Sequence, residues 1–320
     1  MDITVVNLNP CIDWQWTTPS FVYGGMNRAH GGERYAAGKG INVCIALKNI
    51  GLDPLCTGFN FKENGAIITN ALDTYDVRHD FVTVDGAVRV NIKLYDTATG
   101  TMTELNQPGA HVPKKTLAEF CEKIKTAPNR FAKSPHQQIL VLSGSMPAGV
   151  PAETYERLCR VWPGLVILDA DGEALRMALA GDKPPYCIKP NLFELESSFG
   201  VKLPCKEDIA SFCRDLIRTY GVAMICVSMG ADGAVLVTGS AAYYVSAQQL
   251  TVRGVQGAGD AMVAGLTYGL VQSMHESELL RMASAAAAAS VVQEGTLMCT
   301  REGFEKFLGA MASPHIMQHL

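Results

Sequence analysis

The chain has 320 residues, enough to bury the core of one large domain and still leave a deep cleft. Its composition, 48% hydrophobic and 18% charged with 30 scattered glycines, excludes a disordered or collagen-like chain. A formal charge of -4 without a block of Lys and Arg excludes nucleic acid as a partner, and no apolar run approaches the ~20 residues that a membrane helix needs. Ten cysteines without a C-x-x-C pair, several inside apolar runs, point to reduced, buried thiols and a cytoplasmic location. The N-terminus begins as a strand rather than with the basic and apolar regions of a signal peptide.

In chain order, residues 2–7 (DITVVN) form a β-branched run closed by Asn9-Pro10, which predicts a buried first strand with Asp13 just past its carboxyl end. Residues 14–36, with Gly24-Gly25 and Gly31-Gly32 between short segments, predict a strand–turn–strand flap. Gly38-Lys39-Gly40-Ile41-Asn42-Val43 is a glycine turn feeding a helix whose apolar residues recur at helical spacing up to Gly51. Residues 88–95 (VRVNIKLY) alternate as a half-exposed strand does, with Arg89, Asn91 and Lys93 on one face. Lys93 there is either a ligand or a charge that protects a solvated edge strand. The flap-like segments at about 14–36 and 86–107 are expected as insertions into a single domain spanning 1–320.

A helix at 114–125 leads to the strand 139–142, which delivers Ser143-Gly144-Ser145 at its end. Strands at 165–168, 186–188 and 223–227 then alternate with helices at 152–161, 172–180, 193–199 and 207–220. Such alternation predicts an α/β fold with a mainly parallel sheet and helices on both faces, a three-layer architecture carrying a small β lid. Ligands of such sheets sit outside the carboxyl ends of the strands, where Asp13, Ser143, Asp169, Asn191 and Ser228 are expected. Ser228-Met229-Gly230-Ala231-Asp232-Gly233 is either an ordinary hairpin turn or a place where backbone approaches a phosphate or a base. The small-residue run 283–289 reads as a helix packed closely on a neighbour.

Gly257-Ala258-Gly259-Asp260 opens directly into an amphipathic segment. Asp260 there is either a first-turn acid that stabilises the helix, or a carboxylate that takes the proton of an attacking hydroxyl while the amides of Gly257, Ala258, Gly259 and Asp260 hold a transferring phosphoryl group. Glu194, three residues after Asn191, is likewise a capping acid or a metal ligand.

Taken together, Gly38-Lys39-Gly40-Ile41-Asn42-Val43, Lys189-Pro190-Asn191 with Glu194, Ser228-x-Gly230-x-x-Gly233 and Gly257-Ala258-Gly259-Asp260 make the whole chain resemble the PfkB (ribokinase-like) family of carbohydrate kinases. The resemblance implies a ribokinase-like fold, ATP and Mg2+. It implies Asp260 as base, the Gly257–Asp260 amides as anion hole, Asn191 and Glu194 at the metal, and Ser228, Gly230 and Gly233 at the nucleotide. It also implies sugar contacts from Asp13, Gly38, Lys39, Asn42 and Ser143. Arg89 resembles the guanidinium of members whose substrate already carries a phosphate, since its bidentate bonds would go unused on a neutral sugar. Within that branch, Asn9-Pro10-x-x-Asp13, residues 89–93 and Thr103-Glu104-Leu105-Asn106 resemble members converting fructose 1-phosphate to fructose 1,6-bisphosphate. Tagatose 6-phosphate is the rival acceptor. Two other readings remain: a catalytically silent sugar-phosphate binder, motivated by Val255 where the family usually has Thr or Ser, and an interaction protein using the flap. Pairing of flaps also makes a homodimer through the lid an expectation.

Overall fold

The computed structural model describes residues 1–127, 138–254, 256–295 and 297–317; Val255 lies outside the described residues. The first strand, β1 (Asp2–Asn7), is buried along residues 3–7 and pairs in parallel on both sides, as an apolar run with β-branched residues should. Next come β2 (Cys11–Thr18), β3 (His30–Ala37), β4 (Pro54–Phe61), β5 (Arg78–Val84), β6 (Arg89–Asp96) and β7 (Thr101–Asn106). The second half adds β8 (Gln138–Ser143), β9 (Leu165–Asp169), β10 (Cys187–Ile188), β11 (Met224–Ser228), β12 (Ala234–Thr238), β13 (Ala242–Val245) and β14 (His315–Ile316).

Ten of these strands form the central sheet, in the order β14-β13-β12-β11-β10-β9-β8-β1-β4-β5. It is parallel from β5 to β11 and antiparallel from β11 to β14. The other four make a separate sheet, β3-β2-β6-β7, in which β2 and β6 are parallel and the outer pairs antiparallel.

The helices are α1 (Lys39–Asn49), α2 (Ala66–Thr74), α3 (Lys114–Thr126), α4 (Thr154–Val161), α5 (Gly172–Ala180), α6 (Leu192–Phe199), α7 (Lys206–Tyr220), α8 (Ala258–Val271), α9 (Glu276–Val291) and α10 (Arg301–Ala310). One group packs α1, α8, α9 and α10 in succession, and another packs α3, α4, α5 and α6, so the sheet lies between helical layers. The α8–α9 contact is very close: a Cβ on Gly265 would lie 2.5 Å from the Met282 carbonyl oxygen. That approach is why α9 carries buried Ala283, Ala285, Ala286 and Ala289, which is the packing role expected of the 283–289 run.

Three expectations change. Asp13 lies inside β2 of the smaller sheet rather than on a connection of the core, because the chain enters that sheet at Cys11, directly after Asn9-Pro10. Lys93 is 6% exposed: β6 is an inner strand, flanked by β2 and β7, and its Arg89–Asn91–Lys93 face turns inward, so the solvated-edge reading is excluded. Residues 54–74, to which the sequence assigned no element, form β4 and α2, and with β5 they complete the far side of the core. All ten cysteines are free and all but Cys205 lie wholly or partly buried.

Candidate active site

The carboxyl edge of the central sheet gathers a charged cluster. At the end of β1, Asn7 Oδ1 accepts a hydrogen bond from the Gly40 amide at 3.1 Å, which seats the first turn of α1 on that edge. Gly38 has φ +136°, and a Cβ there would lie 2.8 Å from Asn7 Oδ1, so the turn needs glycine. Lys39, the first residue of α1, places Nζ 3.4 Å from both Asp169 and Glu194. Asp169, at the end of β9, is fully buried; it accepts from Ser143 Oγ at 3.0 Å and lies 3.2 Å from Lys189 Nζ. Burial pushes its carboxyl up, but the Lys189 and Lys39 cations outweigh that and hold it below the ordinary range. Asp169 in turn raises Lys39, against its burial, with help from Glu194 and Asp260. Lys39 is therefore a fixed cation.

Asp260 belongs to the same cluster. Gly257, at φ +76°, turns the chain into α8, and Asp260 sits in its first turn with 6% exposure. Its Oδ2 accepts from Asn42 Nδ2 at 2.7 Å, so Asn42, expected at the sugar, has its amide on this acid. Burial, then the Asp169 charge, push the Asp260 carboxyl up to about 6, against the pull of Lys39, Asn42 and Lys189. A buried carboxyl raised toward neutral pH is suited to proton transfer.

The smaller sheet supplies the opposite wall. Asp13 accepts from Asn91 Nδ2 at 3.0 Å, is ion-paired with Lys93, and accepts from the Cys11 thiol at 3.7 Å. Arg89 Nη1 donates to Asn91 Oδ1 at 3.0 Å and to the Gln107 carbonyl at 2.9 Å, while its buried Nε has no hydrogen-bond acceptor among the described residues. Arg89 and Lys39 line one cavity of about 210 Å³ together with Asn7, Asn9, Ser145 and Glu194. A guanidinium and an ammonium group lining one cavity make it suited to an anion.

On the third side, Asn191 caps α6 and forms a capping box with Glu194: the Glu194 amide donates to Asn191 Oδ1 at 2.8 Å and the Asn191 amide to Glu194 Oε2 at 2.9 Å. Asn191 bridges to Ser228, the last residue of β11. The turn that follows does close a β11–β12 hairpin, with Gly230 at φ +60° and Gly233 at φ +89°, the latter pressed on the Val245 carbonyl. Among the described residues no three His, Cys, Asp or Glu side chains come together as a metal cluster. Sequence reasoning did not assign roles to Asp169, Lys189 and Asn7; their position at strand ends was the available signal. Gln256 carried no signal.

The model of the pfkB family of carbohydrate kinases matches residues 3–302. The chain belongs to the pfkB family. It is 32% identical over 295 residues to the 1-phosphofructokinase of Bacillus subtilis (strain 168), covering 91% of this chain and 93% of that one. It is 33% identical over 296 residues to the 1-phosphofructokinase of Escherichia coli (strain K12), covering 91% of each. The crystal structure of phosphofructokinase-2 from Escherichia coli in complex with potassium superposes with a TM-score of 0.89 at 25% identity, over 97% of this chain and 98% of that one. As a pfkB member with such relatives, the protein is an ATP-dependent sugar kinase. Among the described residues no helix is long and apolar enough to cross a membrane.

Proposed function

We propose that this kinase transfers the γ-phosphoryl group of ATP to fructose 1-phosphate, giving fructose 1,6-bisphosphate. The observation that carries this reading is the cavity shared by Lys39 and Arg89, next to a cluster in which Lys39 feels the Asp260 charge. The acceptor's existing phosphate pairs with Arg89 and Lys39. Asp13 and Gly38 face its hydroxyls in this reading, while the wholly buried Ser143, expected at the sugar, has its hydroxyl on Asp169 and acts through that carboxylate. Asp260 takes the proton of the attacking hydroxyl as the new oxygen–phosphorus bond forms and the bond to the ADP oxygen breaks. The peptide amides of Gly257, Ala258, Gly259 and Asp260 stabilise the negative charge on the phosphoryl oxygens, and Asn42 aims the base.

Ser228, Gly230 and Gly233 contact the nucleotide in this reading. One Glu194 oxygen is committed to the Asn191 amide and the other faces Lys39 in the cavity, so the pair suits a Mg2+ that keeps its waters rather than a protein cage. Mg2+, when bound, neutralises phosphate charge. The outer face of the small sheet carries Trp14, Trp16, Ile92 and Leu105, with Leu105 64% exposed, which supports pairing of two copies through the lid.

The test is an acceptor panel of fructose 1-phosphate, tagatose 6-phosphate, fructose 6-phosphate and the free sugars, compared by kcat/KM with Mg-ATP. Fructose 1-phosphate is expected to lead. A dominant free sugar would overturn the role of Arg89, and sugar-phosphate binding without turnover would favour a silent binding protein.

A further inference from the structure

Gln256 directly precedes Gly257, the residue that opens the proposed anion hole. Its Oε1 accepts from Lys93 Nζ on β6, and its Nε2 donates to Glu104 Oε1 on β7. Lys93 and Glu104 are direct cross-strand partners, so two neighbouring lid side chains grip one amide of the core. An amide offers a donor on one side and an acceptor on the other, and between an ammonium and a carboxylate it has one satisfied orientation. The same Lys93 ammonium is ion-paired with Asp13, which faces the acceptor in the reading above. Lys93 is buried, so its ammonium hydrogens need these two partners, and a change at Asp13 alters how Lys93 is held against Gln256.

We propose that Gln256 is a positioning residue that couples the acceptor site to the anion hole. Asp13 sets Lys93, Lys93 and Glu104 hold the Gln256 side chain, and Gln256 holds the adjoining peptide groups of 257–260 where the γ-phosphoryl group arrives. Closure of the lid over the sugar and assembly of the anion hole are then one event. The inference rests on the kinase reading for which groups Asp13 and residues 257–260 face. Its consequence is a binding linkage: acceptor tightens nucleotide, and nucleotide tightens acceptor by the same factor.

The experiment measures the Kd of a non-hydrolysable ATP analogue by calorimetry, without and with saturating fructose 1-phosphate, in the wild type, Gln256→Ala, Gln256→Glu and the exchange variant Glu104→Gln/Gln256→Glu. Wild type is expected to bind the analogue roughly tenfold tighter with the sugar present. In Gln256→Ala the two Kd values converge and kcat falls about 10- to 100-fold, while the Kd for the sugar without nucleotide is unchanged. Gln256→Glu sets two carboxylates together and also loses the linkage. The exchange variant swaps donor and acceptor, keeps the Lys93 contact, and restores it; a merely structural role predicts no such rescue. Equal linkage in wild type and Gln256→Ala, no linkage in wild type, or failure of the exchange variant overturns the proposal. Because the readout is binding, linkage without turnover of fructose 1-phosphate would refute the functional reading and leave the coupling standing.

Discussion

The two walls of the site are built differently. On the core side Lys39, Asp169, Lys189, Glu194 and Asp260 sit at strand ends and helix starts around a ten-stranded sheet; Asp169, Lys189 and Asp260 are buried, Lys39 and Glu194 half-buried, and each has an ion-pair or hydrogen-bond partner in the cluster. On the lid side Asp13 projects from β2 and Arg89, Asn91 and Lys93 from β6, in a four-stranded sheet whose outer strand β7 is exposed along its whole length. The lid charges therefore depend on side-chain partners such as Asn91 and Gln256 rather than on a rigid edge. A preorganised charge cluster suits the proton and phosphoryl steps, and a lighter wall that pairs its own charges suits selection of the acceptor.

The largest expected effect breaks the core side. Asp260→Asn should lower kcat by about a thousandfold, within the range for losing a general base, while calorimetric affinity for fructose 1-phosphate survives. Activity within a few-fold of wild type would remove Asp260 from the chemistry. On the lid side, Arg89→Met should raise KM for fructose 1-phosphate by roughly 10- to 100-fold, as expected for losing a charge-assisted bidentate bond, and leave the weak use of a free sugar unchanged. An equal loss on both acceptors would show that Arg89 supports the lid instead of the phosphate. The smallest effect separates capping from metal binding: Asn191→Ala should cost about 1 kcal/mol in thermal or urea unfolding. A simultaneous rise in the Mg2+ requirement of turnover supports the metal role, and its absence leaves Asn191 a helix cap.

Much of the core wall was legible in the sequence. The alternation of short apolar runs and helices placed Ser143, Asp169 and Ser228 at strand ends, where the structure has them, and Asn191 close by, where it caps α6 three residues past β10. Asp13 was misplaced because Asn9-Pro10 reads as the end of a segment, although the chain re-enters a sheet one residue later. The alternation of β6 showed that Arg89, Asn91 and Lys93 share a face. It did not show that β2 and β7 flank the strand and that the face turns to the core, which depends on pairings and contacts distant in sequence. Gln256 was illegible for the same reason: its partners lie 152 and 163 residues away, and an isolated amide carries no pattern. Asn42 was assigned to the site from its motif, and its bond to Asp260 across 218 residues emerged from the fold.

The central claim, that Asp260 is the base and is tuned by its surroundings, is tested most directly by kcat/KM for fructose 1-phosphate between pH 5 and 8 in wild type and Asn42→Ala. Burial raises the Asp260 carboxyl to about 6, and the base works ionised, so wild-type activity should fall as pH drops through about 6 and level off above it. Asn42 favours the ionised form, so its removal should move that acidic limb to higher pH. A wild-type profile flat down to pH 5, or a limb that stays in place in Asn42→Ala, would contradict the account.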